Sequence, residues 1–179
     1  MIRIRSSAVA LLIYLSVCGQ GSTQIKQPLP SEQMQFSAED EGVKRPVAIP
    51  DDVLAILSKD EFIRDVLEDE KPAVGKLPQA WFSASAIHLG GPNETDLVVL
   101  GEGPLRGANV ITFWVFRPTP HGHELVLTAP AHDLIVKNTR WKGYREIELL
   151  SATAVQLSSI LFRWDGSKYA SYWEKSGPI

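Results

Sequence analysis

Hydrophobic positions change their period once along this chain. Over residues 50–71 they recur at helical spacing: Val53, Ile56 and Leu57 share one face, and Phe62, Ile63, Val66 and Leu67 form a second stripe expected to be core. Asp51 and Asp52 suit a first turn, where carboxylates oppose the positive end of the helix dipole. Ser58 and Glu61 have the spacing of a capping box, which predicts a second helix beginning there and ending before Pro72.

From residue 80 onward apolar and polar residues alternate. The alternation predicts strands near 81–89, 96–101, 110–117, 123–128, 133–137, 145–151, 155–164 and 168–174. Turn residues separate them at 90–93, at 118–122 and at Asp165 with Gly166, a pair that accepts the positive φ of a tight hairpin. Short strands at this spacing predict an antiparallel meander rather than a βαβ sheet. A weak repeat runs through it. Asp96-Leu97, Phe116-Arg117 and His121-Gly122 recur as Glu146-Ile147, Phe162-Arg163 and Asp165-Gly166, at offsets of 50, 46 and 44 residues. The fold expected is therefore α+β: an N-terminal helical hairpin (50–71) packed on an antiparallel β-meander (80–179) of two blade-like repeats.

Ahead of this single globular domain, 50–179, stand two segments of other character. Residues 1–23 read as an export signal, with Arg3 and Arg5, an apolar run at 8–17 and small residues at Gly19, Gly21 and Ser22. A run of that length is too short to span a bilayer. Cys18 closes a stretch similar to a bacterial lipobox, from which Val17 departs. Two readings stay open: lipidation of Cys18, or cleavage beyond it. Residues 24–49, rich in Gln, Ser, Pro and Glu, read as a flexible tether or a loosely packed arm. The expected location is exported, periplasmic or secreted, touching a membrane only through the signal or a lipid on Cys18.

Composition narrows the chemistry. The 179 residues carry 18 basic and 21 acidic groups, a net charge of -3, which argues against nucleic acid as a partner. The imbalance is local, with 7 basic and 12 acidic residues in 24–79 against 9 of each in 80–179. Cys18 is the only cysteine, so the folded part has no disulfide, thiolate nucleophile or cysteine metal site. No cofactor is expected. Residues 101–107 are glycine-rich after an apolar strand, but the spacing is not that of a dinucleotide loop and a strand follows instead of a helix. His121 and His123 fall on one side of a strand, a spacing that suits a metal, yet nothing fixes further ligands. They read as a solvated turn tip, and no metal is expected.

Residues 88–99 resemble a degenerate FG-GAP or VCBS-type repeat, and residues 142–147 resemble the second half of that motif. In that family an acidic, glycine-bearing run holds calcium between two strands. Here His88, Gly90 and Pro92 replace oxygen ligands and Lys142 brings a positive charge, so the resemblance implies a strand-turn-strand without the ion. Residues 50–179, with Trp81, Phe82 and 143–147, also resemble uncharacterised exported bacterial proteins, which implies an envelope location and no particular activity.

The richest surface candidate is the stretch Lys137, Arg140, Trp141, Lys142, Tyr144 and Arg145, four cations and two aromatics among nine residues. Arginine forks bind carboxylates bidentately, and Trp and Tyr anchor interfaces or stack on sugars. Among the other tryptophans, Trp114 is expected to be buried, while Trp164 and Trp173 are expected to stack across the last hairpin. The function expected is a non-catalytic binding module of the envelope, recognising a secreted or envelope protein or a wall glycan through residues 137–145. Two alternatives stay open: a periplasmic inhibitor of a hydrolase such as lysozyme, and a carboxylate-dependent hydrolase using Asp96 and Glu146.

Overall fold

The computed structural model describes residues 32–72 and 77–178; the expected export signal, Cys18 and the first part of the expected tether lie outside the described residues. Helix α1 (Asp51–Leu57) and helix α2 (Glu61–Glu70) follow a three-residue strand, β1 (Gln35–Ser37). Eight strands come next: β2 (Phe82–Ile87), β3 (Asp96–Gly101), β4 (Ile111–Thr119), β5 (Gly122–Ala131), β6 (Asp133–Trp141), β7 (Tyr144–Ala152), β8 (Gln156–Trp164) and β9 (Tyr169–Pro178). The α+β class is as the hydrophobic pattern predicts, and all strand pairs are antiparallel.

The strands form two sheets. One has four strands in the order β2-β3-β4-β5, the other five in the order β1-β6-β7-β8-β9. Two apolar cores share the four-stranded sheet between them. On one face Val98, Leu100, Phe113 and Val115 meet Phe36, Leu134, Val136, Ile147 and Leu149 of the five-stranded sheet. On the other, Ala84, Leu97, Val99, Trp114 and Phe116 meet Val53 and Leu57 of α1 and Ile63 of α2. That sheet is the middle of three layers, so β3 is buried at all six positions and cannot alternate.

Leu97 pairs with Phe116 across β3 and β4, and Ile147 pairs with Phe162 across β7 and β8. The register slips between Val115 and Phe116 in the β4–β5 ladder, and again between Leu161 and Phe162 in the β8–β9 ladder.

Three expectations need correction. Residues 32–49 of the expected tether are built into the fold: β1 pairs with β6, Phe36 is fully buried, and the Val47 amide donates to the Ala84 carbonyl. One large apolar residue between polar ones makes no detectable period, yet it covers an edge strand. Helix α2 is capped by Asp60, whose side chain accepts from the Ile63 amide, while Ser58 turns back to the Ala55 carbonyl. That later start leaves Phe62 43% exposed rather than in the core. Trp164 and Trp173 do not stack, because Trp164 joins the core and Trp173 stands on the opposite face.

Phe36→Ala should lower unfolding free energy by about 3 kcal/mol, as loss of a fully buried ring does. Urea denaturation measures it. A value within about 0.5 kcal/mol of wild type, typical of surface sites, would restore the tether reading.

Candidate functional site

The 137–145 stretch is a hairpin with a two-residue turn, Trp141 pairing directly with Tyr144. Lys142 and Gly143 both take positive φ, 50° and 85°, as such a turn requires. Most of its side chains are spent inside the molecule. Arg140 Nη1 donates to the carbonyls of Leu89 (3.0 Å), Gly90 (2.8 Å) and Gly143 (2.7 Å). Lys137 Nζ donates to Glu148 at 2.6 Å, and Lys142 Nζ to the Asp165 carbonyl at 2.9 Å. Arg145 pairs with Glu32 at 3.4 Å. The Tyr144 ring lies 4.7 Å from that of Trp164 and so close to Gly90 that a Cβ there would sit 2.8 Å from it. Trp141 is 45% exposed. Arg140 and Tyr144 clasp the other sheet at Leu89 and Gly90, while Lys137 and Lys142 are tied within their own sheet.

Beneath the clasp, Arg117 of β4 crosses from one sheet to the other. Its guanidinium lies 4.6 Å from the Tyr144 ring centroid and 4.7 Å from that of Trp164, both on the five-stranded sheet. Nη2 donates to Glu94 at 3.1 Å, and Nε stands 3.8 Å from Oδ1 of Asp96, too far for a hydrogen bond. Asp96 is fully buried, with Oδ2 accepting from the Leu89 amide at 2.8 Å. Burial pushes its pKa up, opposed by that amide and by Arg117. Nearby, the Tyr169 hydroxyl donates to the Arg145 carbonyl at 2.8 Å, and burial, then the Asp96 charge, pushes its pKa up.

The same constellation occurs again on the outer face of the five-stranded sheet. Arg163 of β8 donates from Nε to Glu146 of β7, and its guanidinium lies 3.5 Å from the Tyr172 ring centroid and 4.8 Å from that of Trp141. A hydrogen bond from Thr139, then Arg163, holds the Glu146 carboxyl below its ordinary range against the cost of burial. Beside it, Lys137 and the Ser159 hydroxyl hold Glu148 low. Along one row Ile135, Glu148, Leu161 and Trp173 are cross-strand partners. Because Leu161 pairs with Trp173 and Phe162 with Ser171, Tyr172 is the extra residue of a bulge, which turns it to the same face as Trp173. Tyr172 is 59% and Trp173 39% exposed. No side chain of this face belongs to either core.

Arg163, Tyr172 and Trp173 were not among the expected binding residues. The signal for Arg163 was present in its repeat position beside Phe162. That for Tyr172 was not, since a bulge leaves no trace in a period-2 pattern.

The remaining candidates are occupied otherwise. His123 donates its amide to Asp52 Oδ2 at 2.7 Å and sets Nδ1 2.8 Å from it, which lowers the Asp52 pKa and ties the β4–β5 turn to α1. Residues 103–105 of the glycine-rich stretch form a single 3-10 turn leading towards β4. Asp96 and Glu146 stand on different sheets, each beside an arginine. Among the described residues there is no group of three or more side chains placed to hold a metal ion.

Two outcomes follow for stability. Arg117→Ala strands a buried carboxylate and should cost about 3 kcal/mol, while Asp96→Asn, which resembles the protonated form that burial favours, should cost less than half as much. Chemical denaturation of both variants compares them; equal losses would mean that the charge of Asp96 is needed. Glu148 has a lowered folded pKa, so its contribution is present above its ordinary 4.5 and is lost as pH falls through the folded value. Glu148→Gln should therefore be less stable than wild type by about 1 kcal/mol near pH 6, with the gap closing towards about pH 3. Thermal unfolding across that range reads the gap, and a constant difference would remove the ionic contribution.

No protein-family model, curated protein or solved structure matches this chain.

Proposed function

We propose that the chain is a non-catalytic binding module of the bacterial envelope, and that its ligand is a protein seated on the outer face of the five-stranded sheet. One observation carries the reading: the exposed Arg163 cluster repeats the Arg117 cluster that lies between the two sheets. In this reading the sheets are two blade-like repeats stacked in one orientation. Leu97 and Phe116 point to the helices as Ile147 and Phe162 point to the four-stranded sheet. Asp96 with Arg117, and Glu146 with Arg163, then lie on the far side of their respective sheets. The first pair is covered by Tyr144 and Trp164 of the next sheet. For the second, Trp141 and Tyr172 of the same sheet lie against the guanidinium, and a partner would cover those rings from outside.

The chemistry of the face favours protein over glycan. Arginine with Trp and Tyr is the composition of interface hot spots. A sugar stacks on a free ring face, but the Arg163 guanidinium already lies against the rings of Trp141 and Tyr172. Ile135, Leu150 and Leu157 add aliphatic surface that a glycan does not need. The basic, apolar and small-residue order of residues 1–23 supports the envelope location. An inhibitor that inserts a loop gains no support from a two-residue turn.

The test is retention on the immobilised protein of solubilised envelope proteins and, separately, of soluble wall fragments. Tyr172→Ser with Trp173→Ser should reduce retention of a saturable protein partner at least about tenfold without lowering the melting temperature. Retention of wall fragments alone, or of the same partner by the variant, would sink the reading.

A further inference from the structure

We infer that the protein covering this face is a second copy of the same chain, joined back to back by a two-fold axis; the inference rests on the docking face proposed above. Three features of the molecule lead there. The first is closure. Two stacked repeats expose a front and a back, and a head-to-tail neighbour would need the front of the four-stranded sheet. That front is already covered by α1 and α2 through Val53, Leu57 and Ile63. Only the back is open, so front-to-back growth stops and a back-to-back pair is the arrangement that closes.

The second feature is charge. On the outer face Lys137 is matched by Glu148 and Arg163 by Glu146, while Lys175 on β9 and Asp133 on β6 offset each other in sign, so two such faces meet without net repulsion. Elsewhere the surface is acidic. Helix α2 carries Glu61, Asp65, Glu68, Asp69 and Glu70 against Arg64 alone, and two copies meeting there would repel. The third is area and texture. Strands β6 to β8 of 9 residues and β9 of 10 make a face of about 30 by 19 Å. Two such faces together span about 1,100 Å² in plane, close to the roughly 1,200 Å² at which stable interfaces begin. Leu157, Trp173, Leu150 and Ile135 give that face the mixed aliphatic and aromatic relief by which sheets interdigitate face to face. This chain already makes one such contact between its own two sheets.

Sedimentation equilibrium of the full chain between about 1 and about 100 μM tests the inference, with Trp173→Glu and Leu157→Arg as separate variants. Both residues are exposed, 39% and 48%, and far-UV circular dichroism verifies that each variant is folded. Wild type should be dimeric, and each folded variant should raise the dissociation constant at least about 30-fold, as a lost hot spot does. A dimer that both variants leave intact would place the contact on another surface and overturn the inference. A wild type monomeric throughout overturns it as well. If that monomer still retains a different protein, lost in Trp173→Glu, the docking face stands and only self-association falls. If it retains none, both fall.

Discussion

Both faces of β3 and of the middle of β4 are closed to water, and every other layer depends on that. Helices of 7 and 10 residues are too short to persist alone. They exist here because Trp114, Phe116, Leu97 and Val99 offer Val53, Leu57 and Ile63 an apolar surface. The five-stranded sheet leans on the other side of the same strands. A layer so placed must satisfy its backbone within the protein, through its ladders and the Val47 amide at its edge, and it can hold charge only at its rim. Asp96 sits at that rim, at the first position of β3, where it accepts the Leu89 amide and faces Arg117.

Arg117 shows how a cation is kept in such a place. Its carboxylate neighbours supply opposite charge at one end, and two rings of the other sheet supply π-faces along its plane. The hairpin that brings Tyr144 to it is held by Arg140, which fills three carbonyls at once. This is why a stretch rich in cations and aromatics is a joint. Cations that look available for a ligand in a linear sequence find backbone carbonyls and carboxylates closer at hand, and a charge-assisted bond inside the protein outcompetes one to water.

Strand positions were legible because one face of the five-stranded sheet is wet and its residues alternate. The β3 run was legible for the opposite reason, as an apolar segment bounded by turns. What escaped notice lacks a period. Strand β1 has three residues and one apolar side chain. Asp60 and Ser58 are equally good caps on paper, and the Trp114 indole, which donates to Asp60 at 2.9 Å, favours the later start. The 137–145 stretch was recognised as a concentration of chemistry. Its inward use depended on carbonyls of residues 89 and 90, brought there by another sheet. Of the exposed cluster, Trp141 and Glu146 stand out in the linear sequence for separate reasons, and the bulge that joins Tyr172 to them leaves no mark there.

The asymmetry between the two arginine clusters is the part of the structure that solubility alone does not explain. An outer sheet face that met only water would be stable with residues such as Thr139 and Lys137 throughout, since exposed large apolar side chains gain nothing from the fold. Strand β9 instead places Tyr172 and Trp173 side by side, and it does so through a bulge, which gives up regular pairing at that point. Meanwhile Glu146 and Glu148 neutralise Arg163 and Lys137 of the same face from within, and Lys175 stands exposed on the edge strand. Rings left open and charges already matched are opposite treatments of neighbouring residues. They are consistent with one another where the face has to remain soluble alone and still present, over β7 and β8, a surface that another sheet can cover without stripping water from an unpaired charge.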